Sequence, residues 1–203
     1  MQEPVNTVLK AVKKLSLLRG DTVLVVGQGP IGLIFTRLLV LTGMKVVASD
    51  LMESRLKLAR RWGARWTFSP AEPGFADSVR KVTRGRGVDA AVVAVPVDEA
   101  LAQARELVRS AGQIMLFAHT RRGVQTGVDL ASICVDEKDM LGSYAADFRL
   151  QKEVARCVFS RQLDVRQLVT HEMPLERTAA AFELAHRPTP DSLKIVVLHG
   201  TNQ

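Results

Sequence analysis

The sequence predicts an α/β fold in which a doubly wound parallel sheet of about six strands is covered by helices on both faces. Three observations predict it. Short, almost uniformly apolar runs such as TVLVV (22–26) and DAAVVAV (89–95) are typical of strands buried on both faces. These runs alternate with longer stretches of helical period. A glycine-rich turn directly follows the first run.

The first half of the chain alternates helix and strand. Apolar residues spaced three and four apart predict a helix over 3–18, which ends at Arg19-Gly20-Asp21. The next predicted elements are a strand over 22–26, a helix over 30–42, a strand over 45–50, a charged helix over 51–64, a short strand over 66–69, and a loop and helix over 70–84.

The second half continues the alternation and then departs from it. The predicted elements are a strand over 89–95, a helix over 100–113 with Gly112 as its stop, a strand over 114–118, a weaker edge strand over 140–144 and a helix over 148–161. The tail is extended over 168–175, helical over 176–187, and a strand over 193–199.

Length and composition bound the class of protein. The 203 residues suit one domain, or one domain with an appendage, and 47% hydrophobic with 24% charged residues is ordinary for a soluble chain. No apolar run is long enough for a membrane span and no secretory signal is evident, so we expect a cytoplasmic protein. Cys134 and Cys157 are far apart, and we expect both to be small buried residues rather than zinc ligands.

The net charge of +7 lies in the first third of the chain. Residues 1–65 hold 11 Lys and Arg against 4 Asp and Glu, whereas the remainder is balanced. No aromatic interleaving, zinc finger or helix-turn-helix punctuation accompanies these cations, so we expect no nucleic-acid partner. Three interpretations of this excess charge stay open: it forms a solvated face, it binds an acidic partner, or it attracts an anionic ligand.

The turn Gly27-Gln28-Gly29-Pro30-Ile31-Gly32 matches GxGxxG between a strand and a helix. Its first glycine permits the turn, the second lets backbone approach a pyrophosphate, and the third lets helix and strand pack closely. The helix N-terminus attracts phosphates, and Pro30 suits the first helical turn. The motif therefore predicts a Rossmann-type dinucleotide site, although such turns also occur without a ligand.

Asp50 ends the second predicted strand, where a carboxylate accepts hydrogen bonds from ribose hydroxyls and repels a 2′-phosphate. It therefore favours NAD over NADP. Alternatively, Asp50 and Glu53 have capping-box spacing, and Asp50 begins the next helix. Arg55 could accept a 2′-phosphate, but we expect an exposed helix arginine.

Nearly all 203 residues resemble the C-terminal, NAD-binding part of the zinc-dependent medium-chain dehydrogenases, especially the sorbitol and threonine dehydrogenase branch. The segments that carry the resemblance are EPVNTVLKAVKKLSLLRGDTVLVVGQGPIGLIF, VVASDLMESRLKLARRWGA, VDAAVVAV, AGQIMLFA, LGSYA, LVTHEMPLERTAAAFELA and KIVVL.

The resemblance implies hydride transfer between a secondary alcohol and NAD, with a catalytic zinc that polarises the substrate oxygen. Most zinc ligands of that family belong to an N-terminal GroES-like domain, which this sequence lacks. Glu3 matches a family glutamate near the metal and is a possible outer ligand only with that domain; alone, it suits a first-turn helix acid. We expect no metal site in this chain and no catalytic residue of its own.

By position, the resemblance implies that Val95, Pro96, Ala118 and His119 line the nicotinamide side. Pro96 and Ala118 stand where the family usually has glycine, which would narrow that pocket. His119 is expected to be a hydrogen-bonded loop residue rather than a proton relay.

The resemblance also implies the domain organisation and partners. Residues 1–20 form a linking helix, 21–145 the dinucleotide-binding domain, and 146–203 an extension that packs on the absent catalytic domain. The edge strand 140–144 would pair two copies into a homodimer. Two hypotheses follow: a coenzyme-binding portion that needs a separate GroES-like catalytic chain, as a truncated product or half of a split enzyme, or a stand-alone, non-catalytic dinucleotide-binding or interaction module.

Overall fold

The computed structural model describes residues 1–118 and 121–200 of the chain. The helices are α1 (Gln2–Lys14), α2 (Pro30–Leu41), α3 (Glu53–Arg61), α4 (Phe75–Val82), α5 (Asp98–Leu107), α6 (Ala131–Cys134), α7 (Gln151–Phe159) and α8 (Thr178–His186). The strands are β1 (Thr22–Val26), β2 (Lys45–Ser49), β3 (Trp66–Phe68), β4 (Val88–Val93), β5 (Val108–Leu116), β6 (Asp139–Gly142), β7 (Val169–Pro174) and β8 (Lys194–Leu198).

Six strands form one parallel sheet in the order β3-β2-β1-β4-β5-β6, which confirms the predicted fold class. The chain moves outward from β1 to β3 and then crosses back to β4, so the strand order reverses between β1 and β4. In such sheets a crevice opens beyond the carboxyl ends of the strands at that reversal. A second, two-stranded parallel sheet pairs β7 with β8.

The central strand β1 divides the core into two layers because its side chains alternate across the sheet. Val23 and Val25 pack on the side that holds α1 and α2, whereas Leu24 and Val26 pack on the side that holds α4 and α5. All five residues of β1 are buried, as the uniform apolar run predicts. Within the described residues, no helix has the length and apolarity that a membrane crossing requires.

The boundary between α5 and β5 differs from the prediction of a helix over 100–113 and a strand over 114–118. The helix ends at Leu107 and the strand begins at Val108. Val108 pairs with Val88, but the next pair is Ala90 with Gln113, so residues 109–112 form a bulge. Ala111 there has φ of 53°, and its N–H donates to the Asp136 carbonyl at 2.8 Å. Gly112, expected to stop a helix, lies within this strand instead. Glycine is required there because neighbouring backbone and the Val108 side chain occupy the space that a Cβ would need.

The C-terminal third joins the core through α1. Asn6 exchanges two hydrogen bonds with the backbone of Asp147, at 2.8 and 3.0 Å. Val154 on α7, and Leu163 and Leu168 beyond it, are fully buried in the layer that holds α1 and α2. The division at residue 146 stays a prediction.

Two smaller expectations concern the edge strand and the cysteines. The strand predicted over 140–144 is β6, at one edge of the large sheet, and Tyr144 just beyond it is exposed. Cys134 is exposed and Cys157 only half-buried, so the expectation of two buried cysteines is wrong. The short helix α6 places Cys134 on the surface, since none of its four residues is buried.

Candidate functional site

The glycine turn crosses the crevice between β1 and β4. The Gly27 N–H donates to the Ser49 carbonyl at 2.8 Å, which extends the pairing of β1 with β2. Gly27 has φ of +88°, and a Cβ there would collide with Val95. A Cβ on Gly32 would collide with the Gly27 carbonyl oxygen. Both glycines are therefore required by packing within the protein itself.

Gly29 differs from these two glycines. It precedes α2 with φ of −66°, which any residue adopts, and apart from its chain neighbours no residue comes within 4 Å of where its Cβ would be. Packing therefore does not require a glycine here. The open space lies beside the α2 N-terminus, where the N–H groups of Ile31 and Gly32 have no acceptor within the helix. Such a site suits an anion.

Asp50 follows β2 and is buried, with 7% of its surface exposed. Its Oδ2 accepts a 2.6 Å hydrogen bond from the Gln28 N–H, and its Oδ1 accepts a 2.8 Å bond from the Met52 N–H. Helix α3 begins at Glu53 after Met52 without a side-chain cap, so Asp50 is not its N-cap and the capping-box alternative is wrong. Each carboxylate oxygen retains a lone pair for a further donor.

Arg55 turns back from α3 towards Asp50. Its Nη1 lies 3.8 Å from Asp50 Oδ2, and only 17% of its side chain is exposed. The expectation of an exposed helix arginine is therefore wrong. The Arg55 Nε is buried without a hydrogen-bond partner in the protein, so it is free to donate to a bound group.

Ser49 contributes a second buried polar atom without a partner. Its Oγ makes no hydrogen bond, and the residue is fully buried at the end of β2. Sequence reasoning did not single it out; the available signal was a hydroxyl ending an otherwise apolar strand, directly before Asp50. Buried polar groups are normally paired, so Ser49 Oγ and Arg55 Nε point to a polar ligand.

Gln28 is the other residue that sequence reasoning missed, because it is a variable position of the glycine motif. The side chain is fully buried. Its Nε2 donates to the Val25 carbonyl at 2.9 Å, and its Oε1 accepts from Thr36 Oγ1 on α2 at 2.9 Å. Gln28 therefore braces the turn against both β1 and α2.

Gly27, Ser49, Asp50 and Arg55 line a concave space of about 480 Å³, which we call the carboxyl-edge cavity. It brings together the predicted Gly27, Asp50, Arg55 and Val95, and its wall is largely apolar. The remaining lining residues are Val26, Ser49, Leu51, Met52, Pro70, Ala71, Val97, Glu99, Ala100 and Gln103.

Other predicted residues lie around two neighbouring cavities. Pro30 and Ile31 line a space of about 290 Å³ between the start of α2 and residues of α8 and β8. Glu3 lines a space of about 330 Å³ with Phe117, and its Oε1 accepts a 2.7 Å hydrogen bond from Thr7 Oγ1. Glu3 lies in the first turn of α1, as the helix-acid interpretation expects.

Two of the predicted nicotinamide-side residues, Pro96 and Ala118, do not join Val95 in the carboxyl-edge cavity. Pro96 is exposed and Ala118 half-buried, and neither lines the three cavities at this edge. His119 lies outside the described residues. Within residues 1–118 and 121–200, no group of three His, Cys, Asp or Glu side chains could hold a metal ion.

Comparisons with known proteins bear on this geometry. A family model described as zinc-binding dehydrogenase matches residues 30–160. The (R,R)-butanediol dehydrogenase of Neisseria gonorrhoeae is 27% identical over 199 residues, covering 96% of this chain and 55% of that protein. The chain spans about half the length of the curated relatives it matches.

Two solved structures show the same fold. A protein of Sinorhizobium meliloti 1021, described as a zinc-binding dehydrogenase bound to NADP, has a TM-score of 0.88 at 23% identity and covers 98% of this chain and 58% of that one. A protein of E. coli CFT073, described as a short chain alcohol dehydrogenase complexed with NADH, has a TM-score of 0.86 at 22% identity, with 98% and 58% covered. At these identities the likeness shows the fold alone.

Proposed function

This chain belongs to the zinc-binding dehydrogenase family, and from that premise we propose that it is the NAD(H)-binding portion of an alcohol or polyol dehydrogenase. Hydride would move between a secondary alcohol and the nicotinamide, and the chain alone would bind coenzyme without turning over. The single observation that carries the proposal is the open α2 N-terminus at Gly29, beside a cavity that holds Asp50 and two unpartnered buried polar atoms.

The residues present fit a dinucleotide. The pyrophosphate would lie at Gly29, Pro30 and Ile31, where free N–H groups and the helix dipole favour an anion. Asp50 would accept hydrogen bonds from the adenosine ribose, and its two existing backbone bonds hold it in place. Apolar lining such as Val97 would contact the adenine.

Coenzyme choice would depend on the balance between Asp50 and Arg55. A 2′-phosphate at about 4 Å from Asp50 would meet roughly 4 kcal/mol of repulsion at an effective dielectric near 20. Arg55 offsets part of this, because its Nε has no partner and its Nη1 already lies near Asp50. We propose a preference for NAD that is reduced, not abolished, by Arg55; the relatives solved with NADP and with NADH are consistent with either coenzyme on this fold.

The reactive end of the coenzyme would face the sheet beyond β4 and β5. We assign Val95, Pro96, Ala118 and His119 to its surroundings, with Pro96 and Ala118 narrowing the space. The nicotinamide, when bound, supplies the hydride donor or acceptor. Zinc would be supplied by a GroES-like domain, and Glu3 would reach it only as an outer ligand.

The domain organisation that we propose follows from the family resemblance. A linking helix spans 1–20, the coenzyme domain spans 21–145 and an extension spans 146–203. The partners we propose are NAD(H), a second copy through the edge strand 140–144, and a chain that carries the catalytic domain. The alternative of a stand-alone, non-catalytic module is favoured by Pro96 and Ala118. If hydride transfer is measured after a GroES-like chain is added, the result would favour the dehydrogenase over the stand-alone module.

A matched pair of glycine variants tests coenzyme binding. We expect Gly29→Val to fold normally, because a Cβ there meets nothing within 4 Å, yet to block the pyrophosphate. Gly127→Val is the control, since Gly127 also has open space and no positive φ. Calorimetric titration with NADH should show saturable binding in the wild type and in the control, and a loss of at least about tenfold in Gly29→Val. Equal binding by all three would refute the proposal.

A further inference from the structure

A further cavity lies at the opposite end of the sheet. It encloses about 510 Å³, and we call it the amino-edge cavity. Its lining residues are Thr22, Lys45, Arg65, Trp66, Val82, Thr83, Arg84 and Arg86. Thr22, Lys45 and Trp66 are the first residues of β1, β2 and β3. Four steps along a strand separate the two edges by roughly 13 Å, so this cavity is separate from the carboxyl-edge cavity.

The lining of the amino-edge cavity carries four cations and no carboxylate. Within the described residues, Lys45, Arg65 and Arg84 take no part in an ion pair. The cavity therefore holds uncompensated positive charge. Like charges brought together repel one another, so this arrangement favours an anionic ligand.

One acid near the cavity is already occupied. Asp89, next to the first residue of β4, is buried and receives Arg86 at 2.9 Å, Arg109 Nε at 2.8 Å and the Thr22 N–H at 2.8 Å. Burial raises the pKa of Asp89, but the hydrogen bonds from Arg109, Thr22 and Arg86 lower it more, so the net shift is downward. Asp89 thus fixes the Arg86 guanidinium at the cavity rim while being shared with Arg109, which lies outside the lining.

The helix end above the cavity does not oppose an anion strongly. A helix C-terminus carries negative partial charge, yet the carbonyls of Val79, Arg80 and Lys81 in the last turn of α4 accept hydrogen bonds. The Thr83 hydroxyl donates to the Val79 and Arg80 carbonyls at 3.0 Å, and the Gly85 N–H donates to Arg80 O at 2.7 Å. Arg84 has φ of +56°, a conformation that turns the chain from the helix end towards β4.

Trp66 adds a flat wall to this basic space. It is half-buried on the edge strand β3, and the Arg65 guanidinium lies 4.8 Å from its ring centroid. That contact holds Arg65 beside the cavity by a cation–π interaction. The lining thus combines fixed guanidinium groups, which bind phosphate oxygens in pairs, with one ammonium group and one aromatic surface.

We propose that the amino-edge cavity binds a small ligand that carries two or more adjacent phosphate groups. Several converging cations match several charges on one ligand better than a single carboxylate would. The concave shape and volume suit a small molecule, since ligand pockets commonly enclose about 300–1,000 Å³. The site is independent of the proposed coenzyme site.

The test uses inorganic triphosphate as the probe, in the Gly29→Val background, so that binding at the α2 N-terminus does not contribute. Binding is followed by calorimetry and by the intrinsic tryptophan fluorescence of Trp62 and Trp66 together, at low and at physiological ionic strength. The test variant is Lys45→Gln/Arg84→Asn, because Asn tolerates the positive φ at that position. Lys152→Gln/Arg156→Gln is the control, which removes two exposed cations from α7 instead.

We expect saturable triphosphate binding with a change in tryptophan fluorescence, weakened at least about tenfold by Lys45→Gln/Arg84→Asn and unchanged by the control. Tighter binding of ATP than of triphosphate would identify a nucleotide source, and equal binding a free oligophosphate source. Equal losses in the two double variants would overturn the proposal, as would no binding, or duplex DNA binding far more tightly than either small probe.

Discussion

The backbone N–H of Gln28 donates a 2.6 Å hydrogen bond to Asp50 Oδ2. This bond joins the glycine turn after β1 to the residue after β2, across the crevice where the candidate coenzyme site lies. Asp50 therefore orients the turn as well as presenting acceptor oxygens to a ligand. A substitution at Asp50 changes both the turn and the acceptor oxygens, so coenzyme preference must be measured as the ratio of NADPH affinity to NADH affinity.

Replacing Asp50 by Asn should shift preference towards NADPH. The substitution removes the charge that repels a 2′-phosphate, while any loosening of the turn affects both coenzymes alike. We expect the ratio of NADPH to NADH affinity to rise about fivefold, which corresponds to about a quarter of the full 4 kcal/mol repulsion. Titration of both coenzymes measures it.

Glu99→Gln provides the control, because Glu99 is the other carboxylate that lines the carboxyl-edge cavity. The same rise from Glu99→Gln would mean that general charge, not the position of Asp50, sets the ratio. An unchanged ratio in Asp50→Asn would remove Asp50 from coenzyme choice altogether.

Gly32→Ala should destabilise the fold although alanine favours helices. A Cβ at position 32 would collide with the Gly27 carbonyl oxygen, so α2 must move away from β1. We expect the free energy of unfolding in urea to fall by about 2 kcal/mol or more. Gly142→Ala has open space around its Cβ and should change stability little. Equal stability of the two variants would contradict the packing role of Gly32.

Gln28→Met should cost about 1–3 kcal/mol of unfolding free energy, because the buried Val25 carbonyl and Thr36 hydroxyl lose their partner. Adding Thr36→Val removes one of the orphaned groups, so the double variant should be more stable than the two single losses predict. Urea unfolding of the three variants completes a double-mutant cycle. Strictly additive losses would show that the two side chains are not coupled.

Acid stability should depend on two aspartates with neighbouring arginines. Hydrogen bonds from Arg149 and Arg166 lower the pKa of Asp147 and of Asp164 to about 2, against an ordinary value of 3.8. Because the folded-state pKa values are depressed, their contribution to stability is present above pH 3.8 and is lost as the pH falls through about 2. The melting temperature should therefore fall across this range.

The double variant Arg149→Gln/Arg166→Gln should lower the melting temperature most above pH 3.8 and approach the wild type below about pH 2. Lys152→Gln/Arg156→Gln removes equal charge without touching either aspartate and serves as the control. A difference from wild type that is constant with pH would argue against the two ion pairs as its source.

The sequence predicts the central fold closely because strands that are buried on both faces consist almost entirely of apolar residues. β1 has the predicted limits at residues 22 and 26, and the second strand, predicted over 45–50, ends one residue before Asp50. The predicted boundary between α5 and β5 is wrong because residues 108–113 combine polar side chains with helical spacing. Their strand conformation depends on pairing with β4, which is a tertiary contact.

The finer features of the site depend on tertiary burial, which local patterns do not encode. Arg55 has the charge and spacing of an exposed helix residue, yet its side chain folds under the cavity towards Asp50. Gln28 occupies a variable motif position, and its importance follows from a hydrogen bond to Thr36 eight residues away. The basic residues around Trp66 come from the start of β2, the residue before β3 and the turn after α4, so only the folded sheet brings them together.

The contact between α1 and the C-terminal third also has a consequence for how the chain is made. Asn6 leaves the ribosome 141 residues before its partner Asp147. The apolar side of α1 therefore remains without that cover while the intervening residues are made. Helix α1 is fully packed only after the C-terminal third has been synthesised, and any delay in making that third leaves the surface open to chaperones or to self-association.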